Sequence, residues 1–485
     1  MTIHSGTHSE TRQDRSFIFA EQAWLPTGWQ HNVLFEIVNG NFAQITTEAI
    51  PPDDVQRLQG PVLPTLANVH SHAFQRVMAG MAEISLNPND SFWSWRDLMY
   101  KIVGRLSPQQ VHVIATQLYI DMLKAGYTQV GEFHYLHHDA AGQPYSDPAE
   151  MAHQLLNAAD RTGIGMTLLP ALYSYAGFGA QPPHQGQARF IHSSDSYLQL
   201  HHQLAKALTG THTANFTRTH AELTRTHANN RHRLGICFHS LRAVSQQQIQ
   251  EVLTELDHGQ PIHIHIAEQQ KEVNDCLNWS QQRPVEWLHN HVGLNERWCL
   301  IHATHLNHNE IQMIAASGAV AGLCPSTEAN LGDGIFPGVA FTQAGGRWSI
   351  GSDSHVCLSA TEELRLLEYS QRLRDQQRNR LYNQSQTSVG DHLYTQALHG
   401  GNQACGIQLG LAVGCRADFM VLDATHPLLM ASQTTDLINR WLFACHDNLI
   451  KDVFVAGKPC IQDGHHELED SSRGQFADVI KQVID

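Results

Sequence analysis

The 485-residue chain is poor in charge and poorer still in cations. Charged residues make up 16% of it, and Lys+Arg 31 against Asp+Glu 46 leave a formal net charge of −15. This acidity excludes general affinity for nucleic acid or anionic membranes, because phosphate contacts need clustered Lys and Arg. No apolar run approaches the roughly 20 residues of a membrane span. The opening MTIHSGTHSETRQDR is polar and lacks the apolar stretch of a secretion signal. Cysteines number 9 and show no paired spacing, which excludes a disulfide framework and points to reduced thiols in a cytoplasm. At 42% hydrophobic residues the chain is also too apolar for disorder along its whole length. What it has in excess is histidine, 34 residues of it. Histidine is the commonest metal ligand and the side chain that titrates near neutrality.

The two ends of the chain resemble each other. SFIFAEQAWL and NVLFEIVNGNFAQIT near the start, and ADFMVLDA and NLIKDVFVAGKPCIQDG near the end, are β-rich runs. Asn39-Gly40 predicts a β-hairpin, and Gly457-Lys458 and Asp463-Gly464 predict turns. Residues 1–61 and 406–485 are therefore expected to pair into one small β domain around a middle part, 62–405. In that middle part, strand patterns at 65–70, 129–136, 165–172, 233–240, 261–268, 298–304, 319–325 and 347–353 alternate with helical patterns such as 107–126. This alternation predicts a (β/α)8 barrel, an α/β fold. The Thr/His-rich segment 197–232 and the charged run 371–388 are expected to be solvated surface.

The histidines gather at predicted strand ends. The first strand finishes His70-Ser71-His72, with both imidazoles on one side because residues i and i+2 of a strand share a face. The fifth carries His263, His265 and then Glu268; the sixth carries His302, Thr304 and His305; the eighth ends in Asp353, Ser354 and His355. In a barrel these ends form the active-site face. A lone H-x-H carries little weight, but four strands delivering His or Asp at the same end form a constellation. Neutral imidazoles with a carboxylate suit a catalytic zinc, which needs about four ligands and one open position. Such a metal lowers the pKa of bound water to about 7. Glu268, just past His265, is placed to shuttle a proton to a leaving nitrogen.

At LPTLANVHSHAFQRVMAGM, HIHIAEQQKEVNDC, IHATHL, GLCPSTEANLGDGIFP and IGSDSH the chain resembles the amidohydrolase superfamily, in its mononuclear deaminase branch. The specific resemblance, over nearly the whole length, is to the N-formimidoyl-L-glutamate deiminase family of histidine degradation. It implies a TIM-like (β/α)8 barrel with a small β-sandwich built from both termini. It implies His70, His72, His265 and Asp353 as metal ligands, and Glu268, His302 and Asp353 as catalytic residues. Gln75, Tyr135, His239 and Arg242 are implied to bind substrate, with Arg242 gripping a carboxylate. Arg76 is a second, weaker cation, and Glu328 and Asn330 are expected to shape the pocket. Thr65 stands where such sequences usually carry Gly, a departure in a turn.

The implied activity is hydrolysis of the C–N bond of a linear amidine by a metal-activated hydroxide, giving N-formyl-L-glutamate and ammonia. One zinc is the expected cofactor, although ferrous iron also accepts imidazole and carboxylate. A small-molecule substrate, a homodimer and a cytoplasmic location complete the expectation. The principal rival is a related deaminase acting on a purine, a pyrimidine or another amidine-like compound, whose base pocket would not need Arg242. A two-metal site of the carbamylated-lysine kind is opposed by the absence of Lys from strand four, RLGICFHSLR. His220-Ala221-Glu222 mimics the start of a nucleic-acid deaminase zinc motif, but no P-C-x-x-C follows.

Overall fold

The computed structural model describes residues 14–83, 92–209, 231–256 and 258–484. His220-Ala221-Glu222, and with it most of the Thr/His-rich segment, lies outside the described residues.

Strands Leu66–Ser71, Tyr127–His134, Gly165–Leu172, Ile236–Ser240, Ile262–Ile266, Trp298–His302, Val320–Leu323 and Arg347–Ile350 follow one another in space as they do in sequence. Each pairs in parallel with the next. Tyr127–His134 and Gly165–Leu172 are buried at every position, as strands covered on both faces must be. All eight predicted strands are therefore present, although several stop earlier than the sequence pattern suggests. Asp353 lies three residues beyond the end of its strand at Ile350.

The ring closes at its mouth. The amides of Ser352 and Asp353 donate to the His70 carbonyl at 3.1 and 2.9 Å, and the His72 amide donates to the Asp353 carbonyl at 3.3 Å. Gly351 makes this possible: a Cβ there would lie 2.7 Å from the His70 nitrogen. At the other end the helix Val389–Cys405 packs against strands of the barrel. Its last carbonyls are held from inside, Cys405 by the Thr167 hydroxyl at 2.8 Å and Ala404 by His263 Nε2 at 2.8 Å. His263 shares the periodicity of His265 but is spent on this floor rather than on the mouth.

The predicted helix over 107–126 spans Pro108–Lys124. Ser107 and Gln110 cap it reciprocally and Pro108 opens it, so its exposed N–H groups are satisfied from the start.

The chain ends meet in a second, mostly antiparallel sheet. It contains Arg15–Leu25, Gly28–Val38, Asn41–Thr46 and Val62–Pro64 from the start, and Phe419–Leu422, Ile450–Val455 and Lys458–Ile461 from the end. It encloses its own apolar core around Phe35, Phe42, Phe419 and Phe454, with the last two rings stacked at 4.4 Å. Asn39 and Gly40, both with positive φ, turn the predicted hairpin. The next hairpin turns at Ala456-Gly457 instead of Gly457-Lys458, because Lys458 is already paired with Val455. The final helix Glu469–Ile484 returns to pack on Pro108–Lys124, with Lys124 and Glu469 2.6 Å apart.

Candidate active site and metal centre

His70, His72, His265 and Asp353 come together from three strand ends and are all nearly inaccessible to solvent. His265 Nε2 lies 3.0 Å from His70 Nε2, while Asp353 Oδ1 lies 3.4 Å from His70 Nε2 and 3.3 Å from His72 Nε2. Ligands held at about 2.1 Å around a tetrahedral ion stand roughly 3.4 Å apart, so these separations are those of a coordination polyhedron. The outer nitrogens fix the rings: His72 Nδ1 donates to the Phe133 carbonyl at 2.7 Å, and His265 Nδ1 to the His239 carbonyl at 2.8 Å. With Nδ1 carrying the proton, each Nε2 turns a lone pair inward. Burial lowers the pKa of all three imidazoles, which favours the neutral, ligating form. His70 Nδ1 is buried with no hydrogen-bond partner, which leaves its Nε2, 3.0 Å from that of His265, as its contact with the group, and the three imidazoles and the Asp353 carboxylate lie at ligand spacing. The residues present therefore fit a divalent metal.

His302 and Glu268 border this group. His302 Nε2 is 3.8 Å from Glu268 Oε1 and 3.9 Å from Asp353 Oδ2, and its Nδ1 is 3.3 Å from Glu328 Oε1. Burial opposes charge on His302, but Glu268, Glu328 and Asp353 together outweigh it and bring its pKa to about 10. Burial pushes Glu268 up to about 7, close to the ideal for a group that gives and takes a proton at neutral pH. Glu272 holds Glu268 in place by accepting the amides of Ala267 and Glu268, both at 3.2 Å. Backbone strain is concentrated here as well. Ala267, His302 and Asp353 have φ of 51°, 70° and 45°, conformations that cost a non-glycine residue about 1 kcal/mol or more each.

The pocket over this group is lined by Gln75, Tyr135, His239 and Arg242, together with Arg96, Tyr100, Tyr173 and Phe190. Gln75 donates to the Tyr135 hydroxyl at 3.0 Å and keeps its own carbonyl oxygen buried without a partner. Arg242 likewise keeps a buried Nε unpartnered. Both are groups that a bound ligand would satisfy. Tyr100 lies under the Arg96 guanidinium, 5.6 Å from it, and feels both Arg96 and Arg242. His239 packs against Tyr173 at 4.3 Å, and burial followed by the Arg242 charge keeps it neutral.

Some expectations fall elsewhere. Arg76 is turned away from the pocket; it donates to the His355 carbonyl at 2.7 Å and pairs with Asp121 at 3.2 Å. Asn330 is exposed and donates to Glu83, so it does not shape the pocket, whereas Glu328 does so through His302. His355 is not among the converging ligands; it bridges the Ser352 hydroxyl at 2.9 Å and the Ser71 hydroxyl at 3.4 Å. Thr65 shares a 2.6 Å hydrogen bond with Thr128. Sequence reasoning missed Arg96 and Tyr100, whose helix, Phe92–Val103, carries no motif. It also missed Asp333, from the quoted GDGIFP run, which lies with Glu268 and His302 such that their polar atoms fall within 4.8 Å of one another.

Two family models match the chain: "Amidohydrolase family" over residues 62–460, and "Formimidoylglutamate deiminase HutF, N-terminal domain" over residues 15–57. The chain is 54% identical to a formimidoylglutamate deiminase of Pseudomonas aeruginosa over 97% of its own length and 100% of the relative's. It is 25% identical to an 8-oxoguanine deaminase of the same species, over 64% of each chain. Among solved structures, an amidohydrolase from Brucella melitensis superposes with a TM-score of 0.88 at 42% identity, over 97% of this chain and 100% of that one. An adenosine deaminase from Xanthomonas campestris, 19% identical, shares the fold with a TM-score of 0.74 over 96% and 98% of the two chains. Matched from its terminal sheet through its barrel, and more than half identical to a relative along nearly its full length, the chain belongs to the amidohydrolase family and, within it, to the formimidoylglutamate deiminases.

Proposed function

We propose that this pocket hydrolyses N-formimidoyl-L-glutamate to N-formyl-L-glutamate and ammonia, as the family's name for its reaction implies. The observation that carries the reading is the pairing of opposite charges in one cavity. Arg96 and Arg242 line the same pocket as Glu268 and Asp353, in a protein whose formal net charge is −15. The substrate has the complementary form: two carboxylates on the glutamate part, and a formimidoyl group that is a cationic amidinium at neutral pH. Two guanidiniums can each take a carboxylate by parallel hydrogen bonds. A neutral purine or pyrimidine would bring no anion to the buried Arg242 Nε, which has no hydrogen-bond partner.

His70, His72, His265 and Asp353 are the residues that would hold the metal, which when bound supplies Lewis acidity and an acidified water. Asp353 turns Oδ1 toward His70 and His72 and leaves Oδ2 facing His302, so Oδ2 is the atom to receive the proton of the attacking water. His302, held by Glu328 at 3.3 Å, orients that water and steadies the charge that develops at the attacked carbon. Glu268, across from His302, carries a proton to the departing nitrogen. Gln75, Tyr135 and His239 orient the rest of the substrate.

The test is to incubate metal-loaded protein with N-formimidoyl-L-glutamate and to follow ammonia and formamide together. Ammonia is expected. Formamide in its place, or no turnover, overturns the reading. The proposal extends to one zinc per chain, a homodimer and a cytoplasmic location, which metal analysis, sedimentation and cell fractionation address. The 9 free cysteines among the described residues support a reducing compartment.

A further inference from the structure

Asp333 lies in the loop after the seventh barrel strand, 5% exposed. Its backbone is fixed twice: the amide donates to the Glu328 carbonyl at 2.9 Å, and the carbonyl accepts from His305 Nε2 at 2.8 Å. One carboxylate oxygen, Oδ1, accepts from the Gln269 side-chain amide. The other, Oδ2, is buried with no hydrogen-bond partner. The carboxyl sits with Glu268 and His302, their polar atoms within 4.8 Å of one another.

This arrangement is costly in the absence of a ligand. A buried acceptor without a donor loses about 1–3 kcal/mol, and Asp333 shares its surroundings with the carboxyl of Glu268. Its partner is an amide, which directs one oxygen without neutralising it. The cation beside it, His302, is shared with Glu268, Glu328 and Asp353, and the missing component is an N–H donor for Oδ2. Burial, then Glu268, pushes the Asp333 carboxyl up to about 9, although His302 pulls the other way.

Resting on the proposed reaction, we infer that Asp333 is a specificity-determining residue: with Glu268 it forms a two-carboxyl receptor for the terminal nitrogen of the substrate amidinium, Gln269 aiming its free oxygen. The terminal nitrogen of an amidinium carries two N–H bonds and shares the positive charge, so each acid can accept one. The formyl product has an oxygen at that position. The formyl oxygen brings neither the N–H nor the positive charge, so the receptor favours substrate over product. Sites built around a substrate N–H reject analogues that lack it far more strongly than apolar pockets do.

The test compares two constants in metal-loaded wild type and Asp333→Asn: KM for N-formimidoyl-L-glutamate and the inhibition constant of N-formyl-L-glutamate. Asparagine keeps an oxygen for Gln269 but offers an N–H where Oδ2 stood. KM is expected to rise at least about thirtyfold while the inhibition constant stays level or falls, a split of the size seen when a buried polar group loses its partner. Equal metal content by elemental analysis is part of the readout. A variant that keeps KM within threefold, or weakens for substrate and product together, overturns the inference. Should Asp333→Asn not fold, Asp333→Ser takes its place with the same two constants. Calorimetry with formamidinium and formamide separates this inference from the proposed reaction. Wild type should prefer the cation and the variant should not, whatever is released from N-formimidoyl-L-glutamate. A wild type with no such preference overturns the role of Asp333 alone, and a wild type that releases no ammonia overturns the proposed reaction.

Discussion

Two sets of buried histidines stand in this barrel, and their ring nitrogens go to different partners. His70, His72 and His265 pack with ring centroids 4.5 and 4.8 Å apart (His70 to each neighbour). His137, His138 and His192 pack with centroids 4.5 and 4.8 Å apart (His192 to each neighbour). Burial lowers the pKa of every member of both sets. The first set brings its Nε2 atoms together and meets Asp353 there. In the second set, His137 Nε2 goes to the Ala171 carbonyl, His138 Nε2 to the Ile191 carbonyl and His192 Nδ1 to the Ser196 hydroxyl. Ring proximity and burial are therefore not what makes a metal centre. Donor atoms that converge at ligand spacing, with a carboxylate among them, are what distinguish the candidate metal centre.

The largest effect that would sharpen this contrast is at Asp353. Asp353→Asn keeps the shape but loses both the anionic ligand and the proton acceptor, and kcat should fall by about 10³-fold or more. The check is ammonia release by folded protein, with circular dichroism to establish the fold. Near-normal turnover would remove Asp353 from the chemistry. A smaller effect is expected in the second set. His192→Gln should cost about 1–2 kcal/mol of stability at pH 7, measured by denaturant unfolding, and leave metal content and kcat within about threefold. Loss of the metal on this substitution would abolish the distinction between the sets.

The remaining effect is one of pH, and it is small near neutrality. Burial, reinforced by His138 and His134, holds His192 near a pKa of about 3, below its unfolded value near 6.5. A depressed histidine contributes fully above the unfolded pKa and loses that contribution as pH falls from about 6.5 toward 3. The Gln variant has no such group. It should therefore gain on wild type by up to about 1.4 kcal/mol per pH unit through that window, read as the difference between the two unfolding free energies. A difference independent of pH would show that His192 is not held neutral.

The barrel strands and their histidine-bearing ends were legible because their signals are local. Apolar runs mark buried parallel strands, and an H-x-H needs just the two-residue period of a strand to place two imidazoles together. Asn39-Gly40 was legible for a similar reason, since its turn needs two residues with positive φ. What escaped depends on long-range packing. Arg96 reaches the pocket from a helix with no signature, and Asp333 meets Glu268 across two loops. Arg76 sits one residue from Gln75, yet it serves the His355 loop, because in a short 3₁₀ turn neighbouring side chains diverge. His263 has the spacing of a ligand and lies too deep to be one. The charged run 371–388 is tied together instead of merely hydrated, with Asp375 bridging Arg374 at 2.7 Å and Arg380 at 2.8 Å.

The helix Val389–Cys405, stoppered into the base of the barrel by Thr167 and His263, has a consequence for traffic. With the helix covering that end, arrivals and departures are expected to share the mouth over Glu268 and Asp353. On the proposed reaction, ammonia is small enough to pass the formylated acid, whose carboxylates would stay with Arg96 and Arg242. The slower traveller is then the one that must clear the threshold before the next molecule enters.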